Sequence, residues 1–421
     1  MTIHRAPLRT LFTLVSCCLL TEPAFAQALP RARPEDVGLS TAALDRITTT
    51  LQSYVDSRKY PGFLAVIARH GKLAYIASVG WMDVEHRRAM SPDAVFRIYS
   101  LTKPIASTAV MQLYERGKLR LDDPVSKYVP GFEGRPVLAR FNTADGTYDT
   151  RPAKRPVTIR HLMTHTSGLG YGFSSPIVSR LAQGNREKEA GLPLLHDPGD
   201  KWTYGTSTRV LGQVVEKISG QPLDVFFRDR IFGPLKMTDT SFVVPPEKVS
   251  RVVTVHQRVD GKLVEQPNAP VQQSPVNGEG GLYSTARDYG VFLQMLLNGG
   301  SLHTVKLLGA KSVAMMGANQ IGSVVVDEQP AADPARTRPF PLGAGRDKFG
   351  LGFQIAVRDE RYAKLRNPGS LSWAGINNTH FWIDPERQVA AAVLMQLLPF
   401  YDEACLAVLR GFERRLYEQL R

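Results

Sequence analysis

FRIYSLTKPIAS, Phe96 to Ser107, is the stretch that decides the reading of this chain. A proline follows a lysine directly at the opening of an apolar-periodic segment. Proline has no N–H to donate and clashes with the preceding turn, so a helix accepts it only where N–H groups are unpaired anyway. That condition holds in the first turn, so Pro104 sets the helix start close to Ser100. Three-residue spacing then puts Ser100 and Lys103 on one helical face, hydroxyl beside amine, at the positive end of the helix dipole. Such a place favours a nucleophilic serine. The plainer alternative is an N-cap serine followed by a solvated lysine.

Outward from this helix the pattern is mixed. Ser40 caps a helix whose apolar positions are Leu44, Ile47, Leu51 and Val55. GFLAVIARHGKLAYIASVG (62–80) reads as two strands around a His70-Gly71 turn. The Ser100 helix ends at Gly117, and residues 121–275 carry mostly helical pattern, broken by a polar loop over 133–156. Residues 285–300 form another amphipathic helix, and the Pro-rich segment 327–347 is a loop of the size that often borders a site. SLSWAGI (370–376) and THFWIDPERQVAAAVLM (379–395) return to strands, after which Asp402 caps a last helix carrying Leu409, Phe412 and Leu416. The expected fold is α/β of the α+β type. An antiparallel sheet built from about 40–100 and 276–421 is flanked by helices, with an inserted, mainly helical region at about 101–275.

The first residues read differently. Arg5 and Arg9, the apolar run at 11–20 and Ala-Phe-Ala at 24–26 have the layout of a secretory signal peptide over 1–26. Residues 27–421 then form the mature domain, periplasmic or secreted, with no transmembrane segment. The minor alternative is a lipoprotein acylated at Cys17. Two of the three cysteines fall in this leader, so Cys405 alone remains, on the apolar stripe of the last helix. The formal charge of +13 raises a nucleic-acid reading, but Lys and Arg are dispersed and no basic run interleaves with aromatics. Weak association with anionic envelope surfaces is the partner the charge suggests, and nucleic acid is not expected.

Two further segments carry candidate chemistry. Tyr204 lies in PGDKWTYG (198–205), just before an apolar-periodic helix. Beside a lysine in a cleft its phenol pKa would fall, making it a proton acceptor; otherwise it is a packing residue. In Trp373-Ala374-Gly375 the glycine permits close backbone approach, and an exposed N–H nearby could form half of an oxyanion hole. His161 and His165, four apart, lack the glutamate of a zinc helix and read as structural, so neither metal nor cofactor is expected. No Gly-x-Ser-x-Gly elbow, P-loop or dinucleotide fingerprint occurs.

Together, VFRIYSLTKPI, LDDPVSKYVPGF, VTIRHLMTHTSGL, PGDKWTYG, GEGGLYSTARDYGVFLQMLLNGG, FGLGFQI and FWIDPE resemble the serine β-lactamase and penicillin-binding-protein superfamily. The branch most resembled is the family VIII carboxylesterases, related to class C β-lactamases. The resemblance implies a serine hydrolase with Ser100 as acyl-accepting nucleophile, Lys103 assisting its deprotonation and Tyr204 shuttling the proton to the leaving group. It also implies an oxyanion hole from the backbone N–H groups of Ser100 and Ile376, with Trp373, Ala374, Gly375 and Thr206 binding substrate. Two departures matter. Thr206 stands where the family often has asparagine, and Trp373 replaces the lysine of the β-lactamase Lys-Thr-Gly. Tryptophan offers apolar area and no charge, which favours short-chain neutral esters over anionic β-lactams. The alternatives are a β-lactamase or D-amino-acid peptidase using the same serine, and a non-catalytic cell-wall binding protein.

Overall fold

The computed structural model describes residues 29–267, 276–360 and 365–420. The expected signal peptide lies outside them. The chain opens with helix α1 (Thr41–Asp56), where Ser40 Oγ accepts from Ala43 N, a cap worth about 1 kcal/mol. Its buried stripe, Leu44, Ile47, Leu51 and Val55, is the one read from spacing. Strands β1 (Gly62–Arg69) and β2 (Lys72–Asp83) follow as an antiparallel hairpin, with short β3 (Arg88–Ala89) beyond. His70 at φ 52 and Gly71 at φ 75 take the left-handed conformation that a two-residue hairpin turn requires.

Among the described residues the main sheet has eight strands. Its order is Lys348–Phe349, Gln354–Ile355, Leu371–Gly375, Thr379–Asp384, Val389–Leu394, β1, β2, β3. Every pairing between neighbours is antiparallel, and β1 joins the N-terminal hairpin to the C-terminal meander through Val389–Leu394. Both faces are covered. Alternation along Val389–Leu394 sends Ala390, Ala392 and Leu394 into one core and Val389, Ala391 and Val393 into the other. The second core is closed by α1 and by the C-terminal helix Glu403–Gln419, capped by Asp402 and holding buried Cys405, Leu409, Phe412 and Leu416.

The first core receives helix α2 (Thr102–Glu115), every residue of which from Thr102 to Leu113 is buried. Its entrance is a 3-10 turn, Tyr99–Leu101, and Pro104 falls inside the first α turn, as its missing N–H requires. Gly117, at φ 67, ends it. Helix Ala286–Leu297, capped by Thr285, packs against β1 and Val389–Leu394 on the same side.

The inserted region differs from its sequence reading in two places, one of them the antiparallel strand pair His256–Val259 and Lys262–Glu265 near its end. The polar stretch at 133–156 holds an antiparallel hairpin, Val137–Phe141 with Tyr148–Arg151. Most of its side chains are exposed, so no alternation of apolar residues marked it as strand. It serves as a brace: Arg151 grips Asp197 through both Nη atoms at 3.0 and 2.6 Å, and Lys154 N donates to Asp197 at 2.8 Å. Asp197 belongs to the loop that leads to Tyr204. No described helix is long and apolar enough to cross a membrane.

Candidate active site

Three pieces of backbone meet at Ser100. The first is the turn into α2, where Tyr99 takes φ 43, a left-handed conformation that a tyrosine adopts only under tertiary constraint. The second is the loop 197–206. Its Tyr204 N donates to Gln329 Oε1 at 3.1 Å, so the Pro-rich segment 327–347 does border the site. The third is the end of strand Leu371–Gly375. A Cβ on Gly375 would lie 2.5 Å from Ile98 O and 2.4 Å from Thr379 Oγ1, so only glycine lets this strand close on the turn. Ile376 follows directly, half-buried.

At this meeting Ser100 Oγ lies 3.1 Å from Lys103 Nζ and accepts from Tyr204 Oη at 2.7 Å. Lys103 is 2 % exposed. Its Nζ also donates to Glu279 O at 2.8 Å and to Tyr171 Oη at 3.2 Å, and sits 4.8 Å from the centre of the Tyr204 ring. Burial pushes the Lys103 amine down to about 7; Glu279 pulls it up, and Arg186 and Arg209 push it further down. Near neutrality a large fraction is therefore uncharged.

Tyr204 departs from expectation. Burial pushes its phenol well above the ordinary value, outweighing the hydrogen bonds to Ser100 and Trp373. It is a proton donor at rest, and the expected lowering of its pKa does not occur. Trp373, 7 % exposed, donates from Nε1 to Tyr204 Oη at 3.4 Å. Its ring packs with Tyr204 at 5.0 Å, Phe349 at 5.5 Å and His165 at 6.3 Å between centroids. Ala374, the next residue on the strand, is opposite His380. Thr206 is fully buried at the start of helix Ser207–Ser219, and its Oγ1 has no hydrogen-bond partner.

The two histidines are not on one helical face. Helix Ile159–Met163 stops at the Thr164 cap, and His165 turns away at φ 56. His161 Nδ1 accepts from Thr158 N at 3.2 Å, completing a capping box, while His165 stacks inside the aromatic cluster, uncharged through burial. Among the described residues, Asp83, His86 and Glu265 bring three metal-capable atoms within 4.8 Å of one another. His86 Nδ1 is already 3.0 Å from Asp83, and none of the three hydrogen-bonds to Ser100, Lys103 or Tyr204.

Tyr171 and Glu279 were missed from sequence. Tyr171 Oη donates to Glu279 Oε2 at 2.9 Å, and Glu279 Oε1 accepts from Arg209 at 2.6 Å and Arg186 at 3.3 Å. Burial opposes ionisation of Glu279, but Arg209, Lys103 and Arg186 outweigh it and hold the carboxyl below its usual range. The only available signal was the pair of glycine-rich segments, SGLGYG at 167–172 and NGEGG at 277–281, that carry them.

Comparison with known proteins agrees with this geometry in kind. The family model described as Beta-lactamase matches residues 47–411. Esterase EstB of Burkholderia gladioli is 30% identical over 407 residues, covering 88% of this chain and 94% of EstB. Monacolin J acid methylbutanoyltransferase of Aspergillus terreus is 29% identical over 409 residues, covering 90% of this chain and 98% of that enzyme. Among solved structures, a mutant of simvastatin synthase (LovD) from the same fungus superposes with TM-score 0.77 at 29% identity. The match spans 92% of this chain and 97% of that one.

Proposed function

The chain belongs to the Beta-lactamase family, and on that premise we propose that it is a serine carboxylesterase acting on short-chain neutral esters through an acyl-enzyme at Ser100. One observation carries the reading: Ser100 Oγ is held between a buried amine at 3.1 Å and a protonated phenol at 2.7 Å. A neutral amine has two N–H donors and one lone pair. With the donors on Glu279 O and Tyr171 Oη, the lone pair is left for the Ser100 hydroxyl.

In acylation Ser100 Oγ bonds to the ester carbonyl carbon and its proton passes to Lys103 Nζ. The carbonyl oxygen takes up negative charge facing the N–H groups of Ser100 and Ile376. Collapse breaks the bond to the alcohol oxygen, which takes the Tyr204 proton. The phenolate so formed is stabilised by the Lys103 ammonium beside its ring. In deacylation a water gives its proton to that phenolate and attacks the acyl carbon, and Lys103 returns its proton to Ser100 Oγ. Every group ends as it began.

The neutral-ester preference rests on Trp373, which supplies no charge where the β-lactamase branch has lysine. It also rests on the apolar walls beside Tyr204: Phe340 lies 5.6 Å away, and half-buried Phe173 stacks on Phe340 at 6.2 Å. Parallel kinetics on p-nitrophenyl butyrate, nitrocefin and a D-Ala-D-Ala peptide test it. The ester should be turned over with the highest kcat/KM, and a nitrocefin value above it would replace this reading with a β-lactamase. A second reading has an alcohol in place of water as acyl acceptor, favoured by the methylbutanoyltransferase relative. Adding a primary alcohol to the ester assay separates the two, because a transferase forms the new ester faster than the free acid. The expected leader and mature domain 27–421 belong to the same proposal, with export to the periplasm or beyond and no metal or organic cofactor.

A further inference from the structure

Behind the serine, lysine and tyrosine the structure holds a second tier of charge, with no contact to Ser100. Glu279 is 4 % exposed, yet its carboxylate is fully partnered: Tyr171 on Oε2, Arg209 and Arg186 on Oε1. Its own backbone carbonyl accepts from Lys103 Nζ at 2.8 Å, and Tyr171 Oη bridges its side chain to the same Nζ at 3.2 and 2.9 Å. One residue thus meets the lysine twice, once through its main chain and once through a phenol. Arg186 is half exposed, so the chain of contacts runs from the buried amine to the protein surface.

We infer that Glu279 is a positioning residue that, through Tyr171, sets the pH at which Lys103 gives up its proton, with Arg186 and Arg209 limiting how strongly it does so. This rests on the proposed role of Lys103 as the base for Ser100. A buried ammonium without a counter-charge loses its proton too readily to hold one between acylation and deacylation. A bare carboxylate beside it would hold the ammonium permanently and stop it accepting from serine. Two arginines on that carboxylate give an intermediate position.

The charged and titratable groups around the lysine are few. The loop before Ser175 contributes His165, uncharged, and Tyr171; the Arg186–Glu189 helix contributes Arg186 and Glu189; the Ser207–Ser219 helix contributes Arg209, with exposed Glu187 on its far side at 3.6 Å. Tyr204, protonated, completes the set. Among these described residues Glu279 and Glu189 are the buried acids, and Glu189 is held by Gly172 N at 2.9 Å with its pKa raised by burial.

The test is the pH profile of kcat/KM on p-nitrophenyl butyrate for wild type, Glu279→Gln and Arg186→Gln, each normalised to Ser100 sites titrated with a fluorophosphonate. Removing the negative charge should move the acid limb to lower pH by about one unit, the lower end of what a nearby opposite charge does. Removing the exposed arginine should move it to higher pH. Opposite displacements support the inference, because a merely structural role changes the amplitude and leaves the limb in place. A labelled Glu279→Gln enzyme whose limb is unmoved or higher overturns it. If Glu279→Gln fails to label, Arg186→Gln decides alone: an upward shift supports, an unmoved limb refutes. Failure of wild type itself to label at Ser100 would defeat the hydrolase reading instead, so the two failures are distinct.

Discussion

Tyr204 Oη donates to Ser100 Oγ at 2.7 Å while burial keeps the phenol protonated. In the proposed mechanism the tyrosine therefore faces the nucleophile as an acid at rest, and Lys103, on the other side of the same oxygen, acts as the base. Replacing either should be severe. Tyr204→Phe and Lys103→Ala are each expected to lower kcat by on the order of a hundredfold or more, with KM less affected. Because both act on one oxygen, the double variant should fall far short of the product of the two losses. Steady-state kinetics on p-nitrophenyl butyrate check this, and near wild-type turnover in either single variant removes that residue from the mechanism.

The Lys103 amine, pushed down to about 7 by burial, fixes the sign of the pH response. In the proposed mechanism neutral lysine is the active form, and its fraction rises with pH. Below about 7, kcat/KM should fall roughly tenfold per unit of pH, and above it the profile should level off. An acid limb near pH 4, the range of an ordinary carboxylic acid, would assign the base to a different group.

How much of this was legible in the sequence differs from residue to residue. Pro104 located the start of α2 because a missing N–H is a local fact, and the sheet from both ends of the chain followed from apolar, β-branched runs around tight turns. The fold expected from the family resemblance is the fold observed. The hairpin at 137–151 was missed because VLARF and YDTR do not alternate apolar with polar residues and most of their side chains are exposed. Four-residue spacing does not put His161 and His165 on one helical face, because the helix ends at Met163 and Thr164 is its cap. Tyr171 and Glu279 stayed hidden for another reason. Their significance is a charge balance among residues 108 positions apart in sequence, which no local pattern encodes.

Gly375 gives a stability test with a steric origin. A methyl group there would meet Ile98 O at 2.5 Å and Thr379 Oγ1 at 2.4 Å, and the first of these is backbone that cannot swing aside. Gly375→Ala should cost about 1–3 kcal/mol in stability, the usual range for overpacking, and reduce kcat/KM by at least roughly tenfold as the strand moves away from Ser100. Thermal unfolding and ester kinetics on the same preparation measure both. An unchanged melting temperature would mean that the strand and the turn separate freely.

Trp373→Phe keeps an aromatic ring in the cluster and deletes the indole N–H that reaches Tyr204 Oη at 3.4 Å. A neutral hydrogen bond contributes about 0.5–1.5 kcal/mol, so kcat should fall by roughly twofold to tenfold. The ratio of ester to nitrocefin kcat/KM should stay near its wild-type value, since neither side chain carries charge. A large rise in nitrocefin turnover in this variant would show that steric bulk, rather than missing charge, excludes the β-lactam.

The central claim is that Ser100 carries the acyl group, and covalent labelling tests it most directly. A fluorophosphonate probe should add its mass once, to the proteolytic peptide containing Ser100, and hydrolysis of p-nitrophenyl butyrate should be lost in proportion to labelling. In Ser100→Ala both labelling and hydrolysis should disappear. Label on any other peptide, or hydrolysis that persists in a folded Ser100→Ala variant, would contradict the account.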